Sequence, residues 1–498
     1  MRVTVSLKPS LTWCLASPLL LLWTLEVDAA PLAATTQAVR VAATPVFPVG
    51  RVVERVTSRA NPRQSYAIYL PSGYREDREW PLLVLLDPRG RALLPLERVR
   101  QVADRLGYMV VSSYNSRSDE AVDPNADALN AILDDADRML ALDPRRIYLV
   151  GQSGTARVSW LFAAGLPGNV AGVIGIGAGF PGDYRPRARA PGEQRGLAFF
   201  GAAGTDDYNF DEMWSLDATL DTLNLPHRIT WFDGPHTWPP APVLTEAVEW
   251  MELQAMKSGL KPADAVWIAS LLQQRLAGAE ALERAGDDYL AWRRYREITL
   301  DFRGVGDASG AIAAARRLEQ REAVRRMDRH LEALVRTQDA FYDRLGTLLG
   351  DFRGAKPPTL AQALARLDLD ELQRRAANPS DSMAAHAAER SLEQLWVYTS
   401  FYEPRDYLAR GDATRALAVL DLADRVRPGH PDVCYFRAQA LSRLGRKGEA
   451  LTAVECAAWG GMPPEQLERD PALATLLADA GYRFLLVLSA RPGVAFAQ

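Results

Sequence analysis

The chain has 498 residues, 48% of them hydrophobic and 24% charged, with a formal net charge of -4. That is enough apolar material for two or three separately packed domains. The mild acidity and the lack of a basic stripe argue against nucleic acid as the main partner. The five histidines and three cysteines show no zinc-ligand spacing and there is no Asp-rich calcium loop, so neither a metal nor an organic cofactor is expected.

Residues 1–29 place Arg2 and Lys8 ahead of an apolar run from Leu11 to Leu25, followed by Val27-Asp28-Ala29, a small-residue cleavage pattern before Ala30. This is the layout of a secretory signal peptide, too short and too interrupted by Pro18 to make a comfortable membrane span. Cys14 follows Trp13, which speaks against a lipid attachment site. The expected product is periplasmic or secreted, with no stable membrane span after cleavage. Residues 30–50, rich in Ala, Thr, Val and Pro, read as a flexible leader.

From 51 to 258 strand-like runs alternate with helical stretches. Strands are predicted at Val52–Val56, Tyr66–Leu70, Pro81–Leu86, Met109–Ser113, Ile147–Val150, Val173–Ile176, Leu197–Gly201 and Arg228–Phe232. Helices are predicted near Leu96–Leu106, Pro124–Ala141, Ala156–Leu166, Phe210–Leu223 and Pro242–Met256. Such alternation specifies an α/β domain, a mostly parallel eight-stranded sheet covered by helices on both faces.

Within this segment Arg146 to Thr155 runs from an apolar strand through a Gly-flanked serine into a helix-compatible stretch. A nucleophile elbow has this layout: the serine sits on a sharp strand-to-helix turn with its oxygen exposed. Ser153 is the candidate nucleophile. Thr155 stands where glycine is usual, and its β-branched side chain must find room there. A serine nucleophile needs a base and an acid that orients the base. His227 opens a strand, whereas His236 follows one in the loop 233–240, and open α/β sheets carry their catalytic groups on loops after the strands. His236 is therefore the candidate base. After Leu197–Gly201 the chain reads Gly204-Thr205-Asp206-Asp207, where Asp207 has the usual Gly-x-x-Asp spacing and Asp206 is the fallback. Singly, each residue also suits a turn or a cap. Together they follow successive strands in the order the mechanism needs.

The order Ser, Asp, His resembles that of the α/β-hydrolase superfamily. Residues 64–257 most resemble its esterases related to polyhydroxybutyrate depolymerases and feruloyl esterases. The resemblance is carried by Tyr66 to Pro71, the Ser153 elbow, Gly204 to Asp207, and Phe232 to Trp238. It implies a serine hydrolase acting on small-molecule or oligomeric carboxylic esters through an acyl-enzyme. Such an enzyme needs an oxyanion hole of backbone amides. Gly154 supplies one donor. The second is expected from the loop Asp87-Pro88-Arg89-Gly90-Arg91, where related lipases carry His-Gly; Pro88 has no N–H, which leaves Arg89 or Gly90. Arg89 and Arg91 suit either an anionic substrate or plain solvation. Trp238 suits either a wall of the substrate pocket or loop packing.

After Lys257-Ser258-Gly259-Leu260-Lys261-Pro262 the pattern turns wholly helical, and 262–490 reads as an all-α domain. Gly411, Ala416, Leu420 and Ala423 recur 34 residues later as Gly445, Ala450, Val454 and Ala457. That is the tetratricopeptide period. Repeats of this kind are assigned to about 397–430 and 431–464, and to about 272–305 from Gly286, Ala291 and Tyr295. A long amphipathic helix is predicted from Gly310 to Leu349, and 306–396 carries no functional assignment. Helical repeats offer a concave surface for a protein partner. Cys434 and Cys456 fall at ends that antiparallel helices bring together, so they either pair in an oxidising compartment or are small core residues. Two other readings stand beside the esterase: a peptidase of the prolyl-oligopeptidase kind, for which no propeller repeat is present, and a non-catalytic binding protein acting through its helices.

Overall fold

A computed structural model describes residues 46–118, 124–181, 197–378 and 382–478. The signal peptide, most of the leader and the end of the helical domain (479–490) lie outside these residues. Two compact units emerge, one reaching Glu332 and the other beginning at Ala333.

The first unit is built on eight strands: β1 Val52–Thr57, β2 Ser65–Tyr69, β3 Trp80–Leu86, β4 Met109–Ser113, β5 Leu142–Gln152, β6 Val170–Ile176, β7 Ala198–Gly204 and β8 His227–Phe232. They form one sheet in the order β1-β2-β4-β3-β5-β6-β7-β8, with β2 antiparallel to both its neighbours and every pairing from β4 to β8 parallel. This is the mostly parallel sheet that the alternating pattern specifies. Five helices cover it: α1 Leu93–Leu106, α2 Asn125–Met139, α3 Gly154–Gly165, α4 Phe210–Thr222 and α5 Ala241–Lys257.

The central strands read as unbroken apolar runs because both faces are covered. Every residue of β3 is buried. Leu82, Val84 and Leu86 join Leu129, Ile132, Trp160 and Met213 of α2, α3 and α4 in one core. Leu83 and Leu85 point the other way, into a core with Leu96, Val99, Val248 and Met251 of α1 and α5. The two-residue period of a strand thus divides one sequence between two cores.

The change of pattern near 258 is a change of secondary structure and not the end of this unit. Helices α6 Ala265–Arg284, α7 Asp288–Asp301 and α8 Ser309–Glu319 follow. Leu253 and Met256 of α5 share a core with Ile268, Leu272, Trp292 and Ile298. Beneath it Arg228 of β8, only 7% exposed, pairs with Glu246 of α5 at 2.5 Å, with Glu297 of α7 at 2.7 Å, and with Asp301. Burial opposes the charge on Arg228, but three carboxylates outweigh it and raise its pKa. The helix predicted from Gly310 to Leu349 is two helices, α8 and α9 Glu322–Arg353. At the break Arg321 pairs with Asp288, a tertiary contact that the helical period does not encode.

The second unit contains α10 Leu360–Leu367, α11 Leu369–Ala376 and α12 Ser382–Val397, then a π-helical turn, Tyr398–Tyr402, leading into α13 Glu403–Ala409. Helices α14 Ala413–Val426, α15 Pro431–Arg443, α16 Lys447–Trp459, α17 Pro464–Glu468 and α18 Ala474–Leu477 complete it. The positions related by 34 residues are structurally alike. Gly411 and Gly445 both turn the chain with left-handed φ, 80° and 71°. Ala416, Leu420 and Ala423 are fully buried, and so are Ala450, Val454 and Ala457. Cys434 of α15 and Cys456 of α16 are disulfide-bonded, with a Cα–Cα separation of 5.8 Å. Among the described residues no helix is long and apolar enough to cross a membrane.

Glu403 is fully buried at the end of the π-helical turn and is paired with Arg353. Burial pushes its carboxyl up to about 7 against the pull of Arg353. A raised folded-state pKa favours the folded chain below the unfolded value, and that advantage is lost as pH rises through the folded value. Urea unfolding of wild type and Glu403→Gln at pH 5 and pH 8 is the test. The wild type is expected to lose stability relative to the variant between these values, by on the order of 2 to 3 kcal/mol.

Candidate active site

The site assembles where β5, β6, β7 and β8 end. Ser153 follows β5 and caps α3, with φ 54° and ψ -129°. A non-glycine residue there costs roughly 1–3 kcal/mol and persists only where its surroundings hold it. The Ser153 N–H donates to the Ile176 carbonyl at 2.8 Å, and the Ser153 carbonyl accepts from the Ala156 N–H at 2.9 Å. Gly151 is required before the turn, since a Cβ there would stand 2.4 Å from the Thr155 carbonyl oxygen. Gly154 is the first residue of α3, so its N–H has no acceptor within the helix.

Thr155 does find room. It is fully buried, its Oγ1 accepts from the Gln152 N–H at 3.0 Å, and its one proton lies between two acceptors, the Leu86 carbonyl at 2.5 Å and the Gln152 carbonyl at 2.8 Å. The hydroxyl turns an awkward β-branched residue into a hydrogen-bonded tie between the elbow and β3.

Asp207, in the loop after β7, is fully buried. Its Oδ1 lies 2.8 Å from His236 Nδ1 and accepts from the Asn209 N–H at 2.8 Å. With Nδ1 donating to Asp207, the neutral ring keeps its lone pair on Nε2, the atom that would receive a proton. Nε2 is buried and makes no hydrogen bond among the described residues. Asp207 rather than Asp206 is the residue brought to the histidine. His227 lies apart at the start of β8, its Nε2 3.3 Å from Asp217.

Sequence reasoning missed several residues that build this pair. Gly177, just after β6, has φ 61°, and a Cβ there would stand 2.6 Å from Asp207 Oδ2 and 2.8 Å from the His236 ring. Asn209 Nδ2 donates to the Gly177 carbonyl at 2.7 Å, and the Tyr208 ring lies 4.4 Å from that of His236. Arg157, one turn along α3 from the serine, pairs with Glu212 of α4 at 2.6 Å; Glu212 also accepts from the Gly179 N–H at 3.1 Å. These contacts fasten the loop after β6 to the elbow helix. Gly177 had no distinguishing signal within Gly175-Ile176-Gly177-Ala178-Gly179.

The loop after β3 departs most from expectation, because Asp87 is fully buried and gathers the donors around it. Its carboxylate accepts from the Arg89 N–H at 2.8 Å, the Arg91 N–H at 2.9 Å, Arg91 Nη2 at 2.9 Å and Trp238 Nε1 at 2.8 Å. Its carbonyl accepts from the Gly90 N–H at 3.1 Å. Both amides expected to complete the oxyanion hole are thus engaged by Asp87, since a buried carboxylate needs donors and the nearest are those of its own loop. The Arg91 guanidinium likewise serves Asp87. Trp238 is 1% exposed and packs in the core beside α1 and α5, so it fastens its loop and does not line an open pocket. Arg98 of α1 donates to the Trp238 carbonyl and, at 2.8 Å, to that of Pro239.

Among the described residues no group of three or more His, Cys, Asp or Glu side chains could hold a metal ion. A cavity of about 440 Å³ in this unit is lined by Ala171, Ala198 and His227 at the amino ends of β6, β7 and β8, away from the elbow.

Strand order and elbow together define an α/β-hydrolase fold. No protein-family model matches the sequence, and no curated protein matches it either. Among solved structures the chain is similar to a ferulic acid esterase, at 15% identity and a TM-score of 0.34, over 42% of this chain and 98% of that one. It is similar to the fluorophosphonate-binding serine hydrolase F of Staphylococcus aureus, at 14% identity and a TM-score of 0.32, over 41% of this chain and 99% of that one. A Bacillus cereus carboxylesterase matches at 20% identity and a TM-score of 0.32, over 39% of this chain and 97% of that one. At such identities and scores the similarity transfers no chemistry to this chain.

Burial opposes the charge on Asp87, but the hydrogen bonds from Arg91, Trp238 and the Arg89 amide outweigh it and hold its pKa below the ordinary carboxylate value. A depressed folded-state pKa gives stability that is present above the unfolded value and lost as pH falls through the folded one. The melting temperature of wild type is therefore expected to exceed that of Asp87→Asn at neutral pH, and the gap to close on acidification below the ordinary carboxylate range. Scanning calorimetry of both proteins across that range is the check.

Proposed function

We propose that this chain is an exported serine hydrolase, periplasmic or secreted, that cleaves carboxylic esters through Ser153, His236 and Asp207. The observation that carries the reading is the 2.8 Å contact between His236 Nδ1 and buried Asp207, combined with a serine held at positive φ at the start of α3. His236 Nε2 takes the Ser153 proton as Oγ bonds to the ester carbonyl carbon. The amide of Gly154 receives the negative charge that develops on the carbonyl oxygen. Collapse breaks the bond to the alcohol, which leaves with the proton from His236. Water, deprotonated by the same ring, then releases the acid and restores the serine. In the resting arrangement Arg89 donates to Asp87, so Arg89 contributes a second oxyanion donor only when that bond opens. The second unit, with its 34-residue repeat of tetratricopeptide-like period, supplies a surface for a protein partner.

The full chain is expected to react with a fluorophosphonate probe, and Ser153→Ala to lose all labelling. On p-nitrophenyl esters of increasing acyl length, His236→Ala and Asp207→Asn should each lower kcat by at least about 10³-fold. Absence of labelling in the folded wild type would overturn the hydrolase reading and leave the helical unit as the seat of function.

A further inference from the structure

The two departures from the usual elbow and oxyanion-loop patterns, Thr155 and Asp87, meet at one place. Leu86, the last residue of β3, lies in register with Gly151 of β5, two residues before Ser153. The Leu86 carbonyl, at 2.5 Å, is the nearer of the two acceptors of the Thr155 hydroxyl, the other being the Gln152 carbonyl at 2.8 Å. The next residue is Asp87, whose carboxylate accepts from the indole of Trp238, two residues after His236. A single dipeptide at the end of β3 therefore touches the turn that carries the nucleophile and the loop that carries the base. Thr155, Asp87 and Trp238 are all at most 1% exposed. Water cannot replace these bonds where they lie, so losing one leaves a buried polar group without its partner.

Resting on the reading that Ser153 and His236 act on esters, we propose that Thr155, Asp87 and Trp238 are positioning residues. Through Leu86 they form one bridge that sets His236 against Ser153. Asp207 holds the ring from one side, and the Asp87–Trp238 contact holds its loop from the other. The bridge acts on the alignment of serine and base, which governs the chemical step, and touches no substrate group. Its loss should therefore appear in kcat and not in KM.

The test uses the full chain with rates normalised to fluorophosphonate-titrated serine, so that misfolded protein does not count. Thr155→Val removes the hydroxyl and keeps the shape, Thr155→Ser keeps the hydroxyl, and Trp238→Phe removes only the indole donor. Because a misplacement of about 1 Å can cost about 100-fold, Thr155→Val and Trp238→Phe are each expected to lower kcat by about 10-fold or more with KM changed less than about twofold. Thr155→Ser should restore kcat to near the wild-type value. Two tandem changes in one bridge break the same thing, so the double variant should lose less than the product of the single losses. Unchanged kcat in Thr155→Val and Trp238→Phe, no recovery in Thr155→Ser, or fully multiplicative losses would each overturn the bridge while leaving the hydrolase reading intact. A wild type that neither labels nor turns over ester would overturn both.

Discussion

A serine held at φ 54° is a local cost, and much of the first unit is arranged around keeping it there. The turn is wedged between β3 and β6, its amide bonded to Ile176 and its third residue bonded to Leu86. Because β3 and β6 flank β5 on either side, the strain is held by the middle of the sheet, where strands are buried on both faces and opening is most expensive.

The second constraint is electrostatic. A carboxylate placed at the end of a strand as apolar as β3 must be surrounded by donors or lose its charge. Asp87 is surrounded by its own loop and by an indole from far along the chain, and the consequence reaches beyond Asp87. Amides that satisfy a carboxylate are not free for another acceptor, so the N–H groups of Arg89 and Gly90 are committed to Asp87. The amide of Gly154, at the start of α3, is not among the donors that Asp87 gathers.

Much of the fold was legible because its signals are local. Strands buried on both faces give continuous apolar runs, and Met109–Ser113 is read from end to end. The serine, the acid and the histidine could be singled out because each follows a strand in order, and Gly204 separated Asp207 from Asp206 by spacing alone. What could not be read depends on partners distant in the chain. Asp87 looks like a turn residue before a proline, and its indole partner lies 151 residues away. Arg98 sits on an ordinary amphipathic helix, with no hint that it reaches carbonyls after β8. The break between α8 and α9 is invisible to a period that runs through it, because the ion pair at the break belongs to tertiary structure.

The buried charge of Arg228 also bears on how this protein can be divided. Its carboxylates come from α5, which covers the sheet, and from α7, which lies past the point where the sequence turns helical. A cut at that point would leave a guanidinium at the base of β8 with one acid where it now has three, and would strip the cover from the outer face of α5. The helices that follow α5 are therefore part of what holds the sheet's last strand in place, since two of the three counter-charges of a buried arginine belong to α7.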